Sequence, residues 1–137
     1  MSVQAQILEF LKELRRTREL TYLFISHNLA VVRAVCTEVA VMYLGRVVEY
    51  GPTEAIFSAP RHPYTRALLS AVPLPAAEQP DRGAALKGEI PNAIDAPEGC
   101  GFCSRCPVAE NGVCNAPNVP PWNENGATSV LCYHPQD

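Results

Sequence analysis

The chain has 137 residues, of which 47% are apolar and 18% are charged, and its formal net charge is -3. This composition is ordinary for a soluble globular protein and excludes wholesale disorder. There is no basic run with interleaved aromatic residues, so nucleic acid is not an expected partner. The N-terminus does not resemble a signal peptide, and no apolar stretch reaches the roughly 20 residues that span a bilayer. We therefore expect a cytosolic protein without direct membrane insertion.

The first third of the chain predicts a helix followed by a buried strand. Residues 2–18 show apolar residues at helical spacing, and we interpret this stripe as core packing. Residues 21–26, TYLFIS, form a short apolar run rich in aromatic and branched side chains, which is typical of a strand buried on both faces. This run ends at His27.

The next segment predicts short helices around a β-hairpin. Asn28 can cap a short helix, LAVVRAV, while residues 38–44 and 46–51 predict two strands joined by a tight turn at Gly45. Pro52 precedes another short helix and Pro63 opens the next, because proline is tolerated at the first helical position. The order of these elements indicates an α/β fold.

A change in composition divides the chain into segments. Residues 73–98 are rich in Pro, Ala, Gly and charged residues, which is typical of a linker. We therefore expect three segments: an α/β segment at 1–72, a proline-rich linker at 73–98 and a Cys-rich extension at 99–137.

The motifs follow one another in an ordered series. A strand ending in Ser-His, a short helix, the hairpin VMYLGRVVEYG and the helix GPTEAIF occupy residues 21–57. This series resembles the closing segment of the nucleotide-binding domain of ABC transporters. The continuation RHPYTRALL at 61–69 and the tail motif GCGFCSRCP at 99–107 resemble the extension of the ATP-binding subunits of oligopeptide/dipeptide importers. The resemblance covers essentially the whole chain.

The resemblance implies a fold, a function and one catalytic residue. The fold would be the C-terminal portion of an ABC-type P-loop nucleotide-binding domain, followed by a small irregular Cys-rich metal-binding extension. His27 corresponds to the switch histidine that contacts the terminal phosphate of ATP in a complete ATPase. The sequence contains no phosphate loop, no LSGGQ-like signature and no apolar strand ending in paired acids. By itself the chain is therefore not expected to hydrolyse ATP, and ATP and magnesium belong to the full-length family.

The tail concentrates five cysteines within the spacing C-x2-C-x2-C-x7-C-x17-C. Because cytosolic thiols stay reduced, a metal explains them better than disulfides do. Four thiolates can hold an iron-sulfur cluster or a tetrahedral zinc, which leaves one cysteine spare. The family pattern places the ligands at Cys100, Cys106, Cys114 and Cys132, and it is associated with a 4Fe-4S cluster.

Several alternatives stay open at this point. Cys103 completes a C-x2-C-x2-C-P run like that of ferredoxins, so it is either spare or an alternative ligand, and zinc is the alternative metal. His134 is a possible substitute ligand, although a surface histidine is the favoured interpretation. Cys36, in an apolar helix, predicts a buried inert thiol. His62, Pro63 and Tyr64 are assigned a structural role without chemistry.

The resemblance also implies partners and a location. The leading hypothesis is the C-terminal part of the ATPase subunit that energises peptide import, working with permease subunits and a second ATPase subunit. It would lie in the cytoplasm, peripheral at the inner face of the cell membrane. The alternative hypothesis is a stand-alone metal-binding interaction module without any role in ATP turnover.

Overall fold

The computed structural model describes residues 3–71 and 97–136. The predicted linker at 73–98 lies outside the described residues except for its last two positions. The chain divides into two compact units, Met1–Thr37 and Glu38–Asp137. Among the helices in the described ranges, none is both long and apolar enough to cross a membrane.

The first unit contains two helices, as predicted. Helix α1 spans Val3–Arg18 and helix α2 spans Leu29–Val35. The Asn28 side chain caps α2, because its Oδ1 accepts a hydrogen bond from the Val31 amide at 3.3 Å. At the other end of α2, the guanidinium of Arg15 donates to the Val35 carbonyl at 3.1 Å.

Two predictions for the first unit are wrong. Residues 21–26 form no strand, and Leu23 and Ile25 are 92% and 89% exposed. A strand buried on both faces needs neighbouring strands, and no strand of the described ranges pairs with this segment. The apolar stripe of α1 is also not a packed core, since Ile7 and Phe10 are more than half exposed. In the first unit, both α1 and the segment at 21–26 therefore expose apolar side chains.

The second unit is built on a four-stranded sheet with the strand order β1-β2-β4-β3. Strands β1, Glu38–Tyr43, and β2, Arg46–Pro52, form the predicted hairpin. Its turn places Leu44 and Gly45 at φ values of 45° and 77°, the left-handed pair that a two-residue type I′ turn requires. All pairings in this sheet are antiparallel.

Two helices follow the hairpin, as the proline positions predicted. Helix α3 spans Thr53–Ser58, and helix α4 spans Pro63–Ser70 with Pro63 at its first turn. Strand β1 alternates between exposed and buried positions, so one face of the sheet supplies the core. The buried apolar side chains of this unit include Val39, Val41, Val48, Ile56, Phe57, Leu69 and Val130.

The Cys-rich tail contributes a second hairpin that the sequence analysis did not predict. Strands β3, Trp122–Asn125, and β4, Thr128–Leu131, pair with each other, and β4 also pairs with β2. The chain therefore contains both helices and a sheet, as the predicted α/β fold class requires. The tail is therefore irregular before β3, apart from a short 3-10 helix at Cys103–Arg105, and again at 132–136, after β4.

Candidate metal centre

The five tail cysteines come from two places in the second unit. Cys100, Cys103, Cys106 and Cys114 lie on the loops that precede β3, and Cys132 directly follows β4. Cys114 and Cys132 are buried, whereas the other three are half-buried. None of the five, all of which lie in the described ranges, forms a disulfide.

Backbone hydrogen bonds wind the first loop into successive turns. The Cys103 amide donates to the Cys100 carbonyl at 2.9 Å, and the Cys106 amide donates to the Cys103 carbonyl at 3.3 Å. The Cys100 amide donates to the Cys114 carbonyl at 3.0 Å, which holds the two ends of the loop together. The Glu110 amide lies 3.4 Å from Cys114 Sγ, so this sulfur already accepts an N–H donor.

Gly99 permits this close approach of the two loop ends. A Cβ atom at this position would collide with the carbonyl oxygens of Cys114 and Ala116. At Gly101, by contrast, a Cβ would meet its nearest atom, Leu44 Cδ1, at an ordinary 3.6 Å. Glycine is thus required at 99 for a steric reason that does not apply at 101.

The second hairpin brings Cys132 to the same place. The side-chain amide of Asn123 on β3 donates to the Cys132 carbonyl at 2.6 Å. Because β4 pairs with β2, the position of Cys132 is fixed by the sheet. This sulfur is therefore placed by tertiary pairing, 18 residues after Cys114 in the sequence.

All five thiols line a single cavity. His62, Phe102 and His134 also line it. The structure therefore brings together every cysteine that was considered as a metal ligand, including Cys103. Within residues 3–71 and 97–136, however, no group of three or more His, Cys, Asp or Glu side chains has an arrangement that could hold a metal ion.

Burial and mutual proximity raise the pKa of four of the thiols. Burial raises the pKa of Cys106 to about 11, and the nearby Cys100, Cys114 and Cys103 add to this effect. Burial likewise raises the pKa of Cys132 to about 11, with further contributions from Cys100, Cys106 and Cys114. The pKa of Cys100 and of Cys103 is also raised, chiefly by burial. Without a cation among them, these thiols favour the protonated form.

An aromatic cluster joins this loop to the hairpin and to α4. Phe102 is only 1% exposed, and its ring centroid lies 5.3 Å from that of Tyr43 and 5.5 Å from that of Tyr64. The Tyr43 and Tyr64 rings are 4.7 Å apart. Phe102 was not predicted as a site residue, although a large apolar residue between two cysteines was the available signal. Tyr64 has the structural role that was predicted, since it packs against the preceding hairpin.

His62 belongs to the surroundings of the thiols, a position that the sequence analysis did not anticipate. It is 1% exposed, and burial lowers its pKa to about 4. Its Nδ1 accepts a hydrogen bond from the Tyr64 amide at 3.0 Å and thereby caps α4. Its Nε2 is buried and has no hydrogen-bond partner within residues 3–71 and 97–136.

A buried carboxylate fixes the backbone at His62. Glu49 on β2 is fully buried and accepts hydrogen bonds from the amides of Arg61 and His62, at 2.6 Å and 3.0 Å. Burial raises the pKa of this carboxyl, although its hydrogen bonds oppose the shift. The start of α4 is therefore held against the sheet through Glu49 rather than through apolar contact alone.

The other residues singled out from the sequence lie elsewhere or at the margin of the cavity. His27 is exposed, in a bend just before α2. Cys36 is half-buried at the C-cap of α2, so the prediction of a buried thiol within the helix is wrong. His134 is partly exposed, and its Nε2 lies 3.2 Å from a carboxylate oxygen of Glu110.

Comparison with known proteins points to one family. The family described as the C-terminal region of oligopeptide/dipeptide transporters matches residues 48–114. A peptide import ATP-binding protein of Brucella abortus (strain 2308) is 46% identical over 136 residues, which cover 97% of this chain and 39% of the relative. The di/tripeptide transport ATP-binding protein DppF of Pseudomonas aeruginosa (strain UCBPP-PA14) is 44% identical over 134 residues, covering 98% of this chain and 41% of the relative. The chain thus spans about two fifths of the length of these curated relatives.

Proposed function

Since the chain belongs to the family of ATP-binding subunits of oligopeptide/dipeptide ABC transporters, whose C-terminal region it contains, we propose that it serves ATP-driven peptide import across the cytoplasmic membrane. The observation that carries this proposal is the match along 97% of the chain to a peptide import ATP-binding protein at 46% identity. The alternative of a stand-alone metal-binding module has no support in these comparisons, because the relatives are named as ATP-binding proteins.

The exposed apolar segment of the first unit supports a role inside a larger ATP-binding domain. Leu23 and Ile25 are almost fully exposed in a run with the composition of a buried strand. Such a run is expected to pair with further strands of the nucleotide-binding domain, which would cover both of its faces. In that setting the proposed partners are a second ATPase subunit and the permease subunits, at the inner face of the membrane.

His27 is the residue of this chain proposed to act in ATP hydrolysis. It directly follows the apolar segment, so pairing of that segment would place the imidazole at the end of a strand. An imidazole N–H held there can donate to the terminal phosphate of ATP and orient the attacking water. In the structure His27 is exposed, which leaves it accessible for such a contact.

The cysteine cavity is proposed to hold a 4Fe-4S cluster through Cys100, Cys106, Cys114 and Cys132, with zinc as the alternative. The donor chemistry of these residues, though not the present arrangement of their thiols, suits a group that prefers sulfur ligands, because the thiols line one cavity and Glu110 N–H already donates to Cys114 Sγ. A bound cluster would supply one-electron redox chemistry and would cross-link the loops. Loading would involve rotation of the thiol side chains, since they do not yet converge on one ion.

Cys103 is proposed to be dispensable, because it is the position that the family pattern of ligands does not require. The pKa of Cys132 is raised by Cys100, Cys106 and Cys114. Cys103 raises the pKa of Cys100 and of Cys106 in the same way, so the choice of four ligands rests on the family pattern and not on proximity.

A hybrid protein tests the proposed transport function. This chain would replace the matching 41% of the Pseudomonas aeruginosa di/tripeptide transport ATP-binding protein in a strain that lacks the native gene. We expect the hybrid to restore growth on a dipeptide as the sole nitrogen source. His27→Ala in the hybrid should abolish growth, whereas Arg16→Ala, an exposed change on α1, should not. A hybrid that accumulates to normal levels but supports no uptake would contradict the proposal.

A further inference from the structure

His62 places a buried imidazole beside the cysteine cavity. The ring lines the cavity together with the five thiols, and the side chain is 1% exposed. Its backbone is fixed by the 3.0 Å hydrogen bond from its amide to Glu49 Oε2. The ring also lies against Phe102, with centroids 5.8 Å apart. This imidazole therefore has a defined position and little freedom to turn toward solvent.

The hydrogen bond at one ring nitrogen determines the state of the other. Nδ1 accepts from the Tyr64 amide at 3.0 Å, so Nδ1 carries a lone pair and no proton. In a neutral imidazole the proton must then be on Nε2. Nε2 is consequently a donor, and it cannot act as a metal ligand while this cap is in place.

The donor at Nε2 lacks an acceptor in the structure. The atom is buried and has no hydrogen-bond partner in the part of the chain that the structure describes. A buried polar group of this kind is costly to leave unsatisfied, and such groups in native proteins usually indicate an acceptor that the structure does not contain. No thiol sulfur among the described residues accepts from Nε2 in the structure, although a thiol sulfur can accept a hydrogen bond. Metal loading would rotate the thiol side chains and convert them into thiolates, which are stronger acceptors, and a ligand sulfur of the adjoining cavity would then receive this bond.

We propose that the Nε2–H of His62 donates a hydrogen bond to a sulfur atom of the metal–thiolate centre, and that His62 thereby tunes this centre as a positioning residue. The inference rests on the proposed metal site. A hydrogen bond to a ligand sulfur stabilises added negative charge, which favours reduction of an iron-sulfur cluster. The same bond withdraws electron density from a zinc-bound thiolate and lowers its reactivity. His62, the residue that caps α4, thus has a chemical role in addition to its capping role.

Two substitutions separate the capping role from the donor role. In His62→Asn the side-chain oxygen can still cap α4, but the shorter side chain brings no donor to the place of Nε2. In His62→Gln the side-chain amide reaches about as far as Nε2 and retains a donor, while the cap is weakened. If His62 only caps α4, His62→Gln should perturb the site more than His62→Asn. If His62 donates to a sulfur, His62→Asn should perturb it more than His62→Gln.

The reduction potential is the main measurement if the chain contains an iron-sulfur cluster. The 137-residue chain would be purified anaerobically and titrated with a reductant while its absorbance is followed. We expect His62→Asn to keep the cluster but to lower the equilibrium constant for one-electron reduction about tenfold, which is a fall of about 59 mV. His62→Gln should stay within about threefold of the parent. Equal potentials in the parent and His62→Asn, or a shift in His62→Gln as large as that in His62→Asn, would overturn the inference.

Thiolate reactivity is the corresponding measurement if the chain contains zinc. The zinc-loaded chain would be treated with iodoacetamide, and the rate of alkylation followed by mass spectrometry. His62→Asn should react about tenfold faster than the parent, and His62→Gln should not, because only the former lacks the N–H···S donor. Unchanged rates in His62→Asn would count against the donor role.

A control and a comparison of outcomes complete the test. Glu124→Gln changes an exposed residue on β3 that does not line the cavity, and it should leave both readouts close to those of the parent. A parent chain that contains neither iron nor zinc would contradict the proposed metal site itself. A metal-loaded parent that is insensitive to His62→Asn would contradict only the inference about His62.

Discussion

At the scale of single residues, the five cysteines of the tail are chemically distinct although they share one cavity. Cys106 is a half-buried thiol close to Cys100, Cys103 and Cys114. Burial, together with these neighbouring thiols, raises its pKa to about 11. Cys103 is also half-buried, and its pKa is raised by burial and by Cys114. These environments predict different consequences for replacing each sulfur.

Replacement of Cys106 and of Cys103 should affect the metal content differently. Cys106→Ser removes a proposed ligand, and we expect it to lose most of the bound iron or zinc and to unfold the loops around the cavity, because ligation supplies folding free energy there. Cys103→Ser should retain the metal content of the parent. Iron, sulfide and zinc analysis after anaerobic purification measures both. Loss of metal in Cys103→Ser but not in Cys106→Ser would show that the four ligands are chosen wrongly.

Metal loading should release protons and should depend steeply on pH. Burial raises the pKa of Cys100, Cys106 and Cys132, so these three thiols are protonated in the metal-free chain at pH 7. Zinc binds thiolates, so the affinity should increase with pH, with about three or more protons released per ion. Calorimetry in buffers of different ionisation enthalpy counts these protons.

The sign of this pH dependence follows from the raised pKa values. At a pH well below about 11, each raised thiol must lose a proton to bind, so the apparent binding constant should rise about tenfold per pH unit for each such thiol. Cys103→Ser serves as the control and should release the same number of protons as the parent. A proton count near zero would contradict the protonated resting state.

At the scale of elements, the loop that carries four of the cysteines depends on close contact between its two ends. The Cys100 amide donates to the Cys114 carbonyl, and Gly99 lies directly against the backbone of Cys114 and Ala116. The loop has little apolar core of its own, apart from Phe102. Its geometry therefore rests on backbone contacts that a single methyl group can disrupt.

Substitution of Gly99 should distort the metal site, whereas the same change at Gly101 should not. Gly99→Ala places a Cβ against two carbonyl oxygens, and we expect a destabilisation of about 2 kcal/mol or more together with reduced metal binding. Gly101→Ala meets only Leu44 and Tyr43 side-chain atoms at 3.6 and 3.9 Å, so it should be close to neutral. Urea unfolding and metal analysis of both variants test this. Equal behaviour of the two variants would show that the close approach at Gly99 is not required.

At the scale of the whole molecule, the two units differ in how completely they bury their apolar residues. The second unit contains the packed core around the sheet, with Ile56, Leu69 and Val130 at 2% exposure or less. The first unit leaves Ile7, Phe10, Leu23 and Ile25 more than half exposed. Exposed apolar surface of this kind favours association, either with further parts of a nucleotide-binding domain or with a second copy of the chain.

The chain in isolation should self-associate through the segment at 21–26. Replacing Leu23 and Ile25 by Ser should weaken self-association at least about tenfold, because each large apolar side chain contributes about 2 kcal/mol when it is buried. Sedimentation velocity over a range of concentrations measures the effect, and binding of a hydrophobic dye should decrease in parallel. Val119→Ser, at an apolar residue of the second unit that is 51% exposed, is the control and should change neither measurement. A parent chain that stays monomeric at high concentration would contradict this expectation.

Local signals in the sequence determined most of the secondary structure and the family. The cap at Asn28, the turn at Gly45 and the proline at the start of α4 act over a few neighbouring residues, so their consequences can be predicted without the rest of the fold. The ordered motifs likewise identified the peptide importer family. Gly126, the first residue of the two-residue turn between β3 and β4, has a φ of 59° and was a hairpin signal of the same kind that was overlooked.

Only the tertiary structure decided which residues surround the cysteines. The pairing of β4 with β2 places Cys132 beside the earlier loop, and Glu49 fixes His62 at the same cavity across 13 positions of sequence. Contacts between distant segments depend on loop closure and packing, which leave no periodic pattern in the sequence. At 21–26, by contrast, the composition predicted a buried strand that the structure does not contain. A strand forms only where neighbouring strands supply hydrogen bonds, and none of the described strands pairs with this segment.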